Sequence, residues 1–136
     1  HFWLEDGCWH YGTTERSESR SEDISSPLQD LVLRWAAFET LNIFRRRKNW
    51  PLLFTNPLPK IAKGWTVKET YNRTRGTLIS PEGTVLEMVL QALMSSPWEL
   101  NVYSHLAPHT PEQIIDNFLL EDGGSFRNHL ATPPSS

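Results

Sequence analysis

Glu69, Tyr71, Arg73 and Arg75 alternate along the chain, so in a β-strand their side chains share one face. Together they offer a carboxylate, a phenol and two guanidinium groups, a set suited to an acidic or oxygenated small molecule. Glu87 lies beyond an intervening turn, on the run that would return beside them. In that arrangement Glu69 or Glu87 would move a proton, and Arg73 or Tyr71 would steady an oxyanion. The reading depends on register. Pairing Ile79 with Thr84 across a Ser80–Gly83 turn puts the arginines on the same face as Leu86, Met88 and Leu90, whereas a slip of one residue sends them to solvent.

A second set could bind anions. Arg45, Arg46, Arg47 and Lys48 cluster at one point, and Lys60, Lys63 and Lys68 follow. They belong to a wider pattern. Residues 1–30 hold seven acids and two bases, residues 31–78 ten bases and two acids, and residues 79–136 seven acids and one base. A polyanion such as nucleic acid would fit the middle section, with Trp50, Phe54, Trp65 and Tyr71 as stacking platforms. The pI near 5.9 argues against broad nucleic-acid binding. Neutralisation by the acidic ends, or by a partner, is the favoured reading.

Other chemistries are weakly supported. Cys8 lacks the helix amino terminus that would make a thiolate beside His105 or His109. His105 and His109 have helical spacing, but Pro108 interrupts it and no Glu follows His105, so a zinc-protease face is not formed. Cys8 with His10, or the amino terminus with His1, supplies at most part of a metal site. Glu99 and Asp116 are carboxylates without a partner set by spacing. No cofactor and no resident metal are expected.

The elements that would position these residues are legible in part. Asp6-Gly7 between aromatic runs reads as a hairpin turn, and residues 12–25 as a flexible polar loop. Ser26-Pro27-Leu28-Gln29 reads as a capping box opening a helix over 27–48, apolar around most of its circumference and closed by the basic cluster before Pro51. Residues 65–104 read as an antiparallel meander with strands at 65–80, 84–94 and 98–104; the second of these is also compatible with helix. Thr110-Pro111-Glu112-Gln113 opens a last helix, 111–121, ended by Gly123-Gly124, and residues 125–136 read as a tail.

The fold class expected is therefore α+β: a curved antiparallel sheet packed on one long helix, as one domain over residues 1–124. One cysteine and no signal or membrane-spanning pattern point to a soluble intracellular protein. The favoured function is a non-catalytic protein-interaction or ligand-binding domain with a cationic central region, acting as a dimer or in a larger complex. A small cavity-type isomerase, cyclase or dehydratase is the alternative, and a nucleic-acid-associated accessory protein the third.

Overall fold

The computed structural model describes residues 1–14, 20–70 and 73–132. It is α+β. Six antiparallel strands form one open sheet in the order β1-β2-β3-β6-β5-β4. They are β1 (Phe2–Glu5), β2 (Cys8–Thr14), β3 (Arg20–Ser26), β4 (Thr66–Glu69), β5 (Arg75–Ile79) and β6 (Val89–Gln91). The helices are α1 (Gln29–Arg47), α2 (Trp98–Leu106) and α3 (Pro111–Phe118), followed by a 3-10 helix, Gly124–His129.

The β1–β2 hairpin forms as the Asp6-Gly7 pair dictates. Both residues have positive φ, 52° and 77°, the combination a tight two-residue turn demands. The polar stretch that follows is a correction. Backbone pairing continues from Gly12 to Thr14 and from Arg20 to Ser26, so most of the described part of 12–25 is strand, not loop. Pairing to β2 on one side and β6 on the other supplies the hydrogen bonds that the polar side chains gave no hint of.

The α1 start also differs. Ser26 is the last residue of β3; its hydroxyl accepts from Leu28 N–H at 2.9 Å and donates to the Glu87 carbonyl, and the helix begins at Gln29 with no side-chain cap. The third expected strand, 98–104, is helix α2. Its apolar residues fit both periods, but Pro97 at the cap and Glu99 in the first turn suit a helix start, and Leu100, Tyr103 and Leu106 are buried at helical spacing. The α3 capping box forms as read: Thr110 Oγ1 accepts from Gln113 N–H at 3.1 Å, and the Gln113 side chain accepts from Thr110 N–H at 3.0 Å. Residues 125–130 are no tail. Phe126 is buried and Leu130 bridges to Leu53.

The core joins sheet residues Ile24, Leu78 and Leu90 to Val32, Trp35 and Phe38 of α1, Leu100 and Tyr103 of α2, and Ile114 and Phe118 of α3. Full burial of an apolar side chain of this size contributes roughly 1.5–3 kcal/mol, and the rings contact one another, with Phe38 and Phe118 edge-to-face at 6.2 Å. Register decides where the arginines go. Ser80 and Gly83 close the turn as read, the Gly83 N–H donating to Ser80 O at 2.9 Å, but Ile79 bridges to Val85 rather than Thr84. Further on, Gly76 faces Leu90 and Arg75 faces Gln91. Arg75 is thereby on the face opposite Leu90, away from the helices.

Candidate functional site

The site is made by one extra residue in β3. Tyr11 pairs with Ile24 and Gly12 with Glu22, so Asp23 has no opposite number and forms a bulge. Glu22 is thereby directed to a row that includes His10 and Arg75: it is hydrogen-bonded to His10, which stacks on Trp3 at 5.3 Å, and bonded to Arg75 at 3.1 Å. Asp23 meets Glu39 of α1 instead. A cavity of about 310 Å³ opens there. Trp35 and Glu39, one turn apart on α1, form one wall; Trp98 and Glu99 at the start of α2 form another; Leu90, Gln91 and Leu93 complete it with Thr74.

Three carboxyls from three elements thus surround one space, and no Lys, Arg or His is among its described lining residues. Burial, with the Asp23 charge beside it, raises the Glu39 carboxyl from 4.5 to about 7. Burial raises Asp23 as well, partly offset by its hydrogen bond to Glu39. Glu99 is raised by burial and by Asp23. Tyr11, adjoining on β2, is raised by burial and by the Glu39 and Asp23 charges. The Glu39–Asp23 pair therefore shares a proton near neutrality, with Glu39 the donor. Two polar atoms at the site are buried and lack a hydrogen-bond partner: Glu99 Oε1 and the indole Nε1 of Trp35. The indole lies near enough to Glu39 to lower its pKa slightly without making a well-formed bond. Chemically, such a site holds a cation or lends a proton.

Beyond Glu39 and Trp98 the cavity runs into a more open groove along α1, lined by Ile43, Arg46, Leu52 and Leu58. Its rim is apolar and exposed: Ile43 at 49%, Leu58 at 50% and, on the cavity side, Leu93 at 61%.

Of the residues singled out from sequence, Glu99 lines the cavity and Arg46 the groove, and the other described ones lie elsewhere. Tyr71 is outside the described residues. Glu69, at the end of β4 opposite Gly76, is exposed, as is Lys68 opposite Thr77. Arg73 is exposed in the turn before β5, with φ at 60°, and its carbonyl accepts from Met94 N–H at 3.0 Å. Glu87 is exposed before the other end of β6, beside Cys8 in an open depression. Arg75 is held by Glu22. Arg45 is buried, and four of its N–H bonds end on carbonyls: Nε on Pro51 at 2.7 Å, Nη1 on Phe118 at 2.8 Å and Leu120 at 2.6 Å, Nη2 on Glu121 at 2.7 Å. It caps the end of α3. Arg46, Arg47 and Lys48 are exposed, Lys48 lying 5.7 Å over the Phe44 ring. His105 packs against His129 at 4.8 Å and His109 against Phe126 at 4.9 Å.

Asp23 and Glu39 were missed as site residues because each reads blandly in sequence, one in a polar run and one on a helix. The usable signal was Glu39, the only acid between Leu31 and Phe44 in a helix apolar almost all round.

Fold and site together define a helix-backed antiparallel α+β domain suited to protein interaction, with a carboxylate-lined cavity at the junction of sheet and helices. Among the described residues, no helix is long and apolar enough to cross a membrane. The sequence model of one family, Immunity protein 61, matches residues 2–125, and the chain belongs to that family. A solved structure, Rv3902c from M. tuberculosis, is similar with a TM-score of 0.68 and 17% identity, covering 92% of this chain and 70% of that one. At that identity the likeness is one of fold. No curated protein is similar enough in sequence to count as a match.

Proposed function

We propose that the chain is an immunity protein in the literal sense, binding a polypeptide toxin and blocking it without catalysis of its own. The family match over residues 2–125 carries this reading. Geometry supports it. The groups that an enzyme of the cavity type would need are exposed, Glu69 and Arg73 about the β4–β5 turn and Glu87 before β6. The groove along α1 has instead the exposed apolar rim expected of a surface that another protein covers. Arg46, Arg47 and Lys48 at the end of α1 are free of ion pairs to described residues and would meet acidic groups at the edge of the same partner.

The test is protection. The chain is co-produced with each toxin domain encoded in the same genome, and survival and complex formation are scored. Rescue from one toxin with a stable one-to-one complex is the expected result. Rescue from none, with no complex on size-exclusion light scattering, overturns the reading; a homodimer as the sole assembly would favour self-association instead.

A further inference from the structure

We propose that the cavity between β3, α1 and α2 is the socket for an arginine side chain of the protein partner, an inference that rests on the toxin-binding reading above. Asp23, Glu39 and Glu99 give it acidic character, with no basic residue among its described lining residues. Two further observations ask for a ligand. Oε1 of Glu99 is a buried acceptor with no donor among the described residues, and Nε1 of Trp35, a residue only 2% exposed, is a buried donor that approaches Glu39 without a well-formed bond. Folded proteins rarely leave such atoms unpaired without a function.

A guanidinium answers these demands. Its planar fork carries five N–H donors in a fixed geometry, so it bonds Glu99 Oε1 and a second carboxyl at once; an ammonium has three donors and no flat face to stack. Its flat face fits Trp98, 37% exposed at the junction of cavity and groove. With that charge in place Glu39 releases its proton to solvent, and its carboxylate becomes the acceptor that the Trp35 N–H lacks. A metal ion is the poorer fit, for among the described residues no three His, Cys, Asp or Glu side chains are grouped closely enough to hold one.

The surroundings assign the arginine to a protein rather than to a free metabolite. Cavity and groove share Glu39 and Trp98, and Ile43, Leu58 and Leu93 lie exposed around them. A free amino acid would leave those side chains in water; a polypeptide carrying the arginine would cover them.

Two measurements test the socket. In the first, the amidated, acetylated peptide Gly-Arg-Gly is titrated into the protein while the Trp35 indole N–H resonance is followed, with the citrulline peptide as the uncharged isostere. A saturable shift with arginine alone is expected, weakened about tenfold in Glu99→Gln and in Glu39→Gln. Equal binding of the citrulline peptide, unaltered affinity in both variants, or no saturable shift overturns the proposal; tighter binding of free arginine than of the peptide overturns the assignment to a protein side chain. In the second, the Asp23→Asn, Glu39→Gln, Glu99→Gln triple variant, its fold verified by circular dichroism, is compared with the natural chain in the protection assay. Protection by the natural chain and equally by the variant sinks the socket and leaves toxin binding standing. Protection by neither sinks toxin binding, while the peptide titration still judges the socket.

Discussion

Below about pH 7 the Glu39 carboxyl on α1 donates a hydrogen bond to the Asp23 carboxylate on β3, so one proton ties the long helix to the sheet. Two acids so placed are costly when both are charged. Among the described lining residues neither has a Lys, Arg or His beside it, and the amino-terminal ammonium offsets only a smaller part of the rise.

Stability should therefore depend on pH with a defined sign. Folding raises the Glu39 carboxyl from 4.5 to about 7, so the folded state binds the proton more tightly. Its contribution is complete below pH 4.5 and is lost as pH rises through 7. Asp23 on β3, Glu99 on α2 and Tyr11 on β2 face the same point and are raised in the same sense. Urea midpoints taken from pH 4.5 to 8 should converge at the acid end for the natural chain and Glu39→Gln, and separate in favour of the variant at pH 8. Parallel profiles would show that Glu39 is not the group titrating.

Arg45 and Arg46 are neighbours with opposite expectations. Arg45→Met removes the guanidinium donors from the carbonyls of Pro51, Phe118 and Glu121 and one of the two donors from that of Leu120, which keeps Gly123 N–H, and should cost about 3–5 kcal/mol. Arg46→Met, at an exposed position, should stay within about 0.5 kcal/mol. Chemical denaturation of the two variants reads the difference directly; similar losses would refute the capping role of Arg45.

Gly76 has no room for a side chain. A Cβ there would lie 2.9 Å from the Lys68 carbonyl, 3.0 Å from Met94 Cε and 3.1 Å from Leu100 Cδ1. Gly76→Ala should destabilise by about 1–3 kcal/mol, since β4 must shift to admit it. A thermal melt unchanged from the natural chain would mean that the sheet yields there at no cost.

At the start of α3, Thr110→Ala removes the acceptor of Gln113 N–H and should cost about 1 kcal/mol, measured by denaturant unfolding. Thr110→Ser keeps the hydroxyl and should recover most of that loss. Equal loss in both variants would point to packing of the methyl group instead.

How much of this was legible in the sequence follows a physical line. The Asp6-Gly7 hairpin, the long α1 and the capped α3 were readable because local chemistry alone specifies them. Strand β3 was not, because Arg20 to Ser26 has little apolar character of its own and is held by ladders on both sides. Helix α2 was misread because Leu100 and Val102 satisfy a strand's alternation as well as a helix's stripe. Arg73 and Arg75 drew attention through a register that the turn does not keep: Ile79 bridges to Val85 rather than Thr84, a slip of one that reverses the faces, and the two further residues before the Gly76–Leu90 pair leave them reversed. The acidic cavity escaped because Asp23, Glu39 and Glu99 are far apart in sequence and meet only after the bulge in β3, which nothing within β3 itself announces.

That bulge makes the cavity a matter of counting as much as of chemistry. Deleting Asp23 would restore a regular ladder, and with it the strict alternation of sides. The fold could survive such a deletion with its core intact, yet no acid would be left to face Glu39 from β3. Relatives that differ in length at this point would thus differ in which partners they can receive, even where Glu39 and Glu99 themselves are kept. A single-codon change in length is a shorter route to a new specificity here than any one substitution.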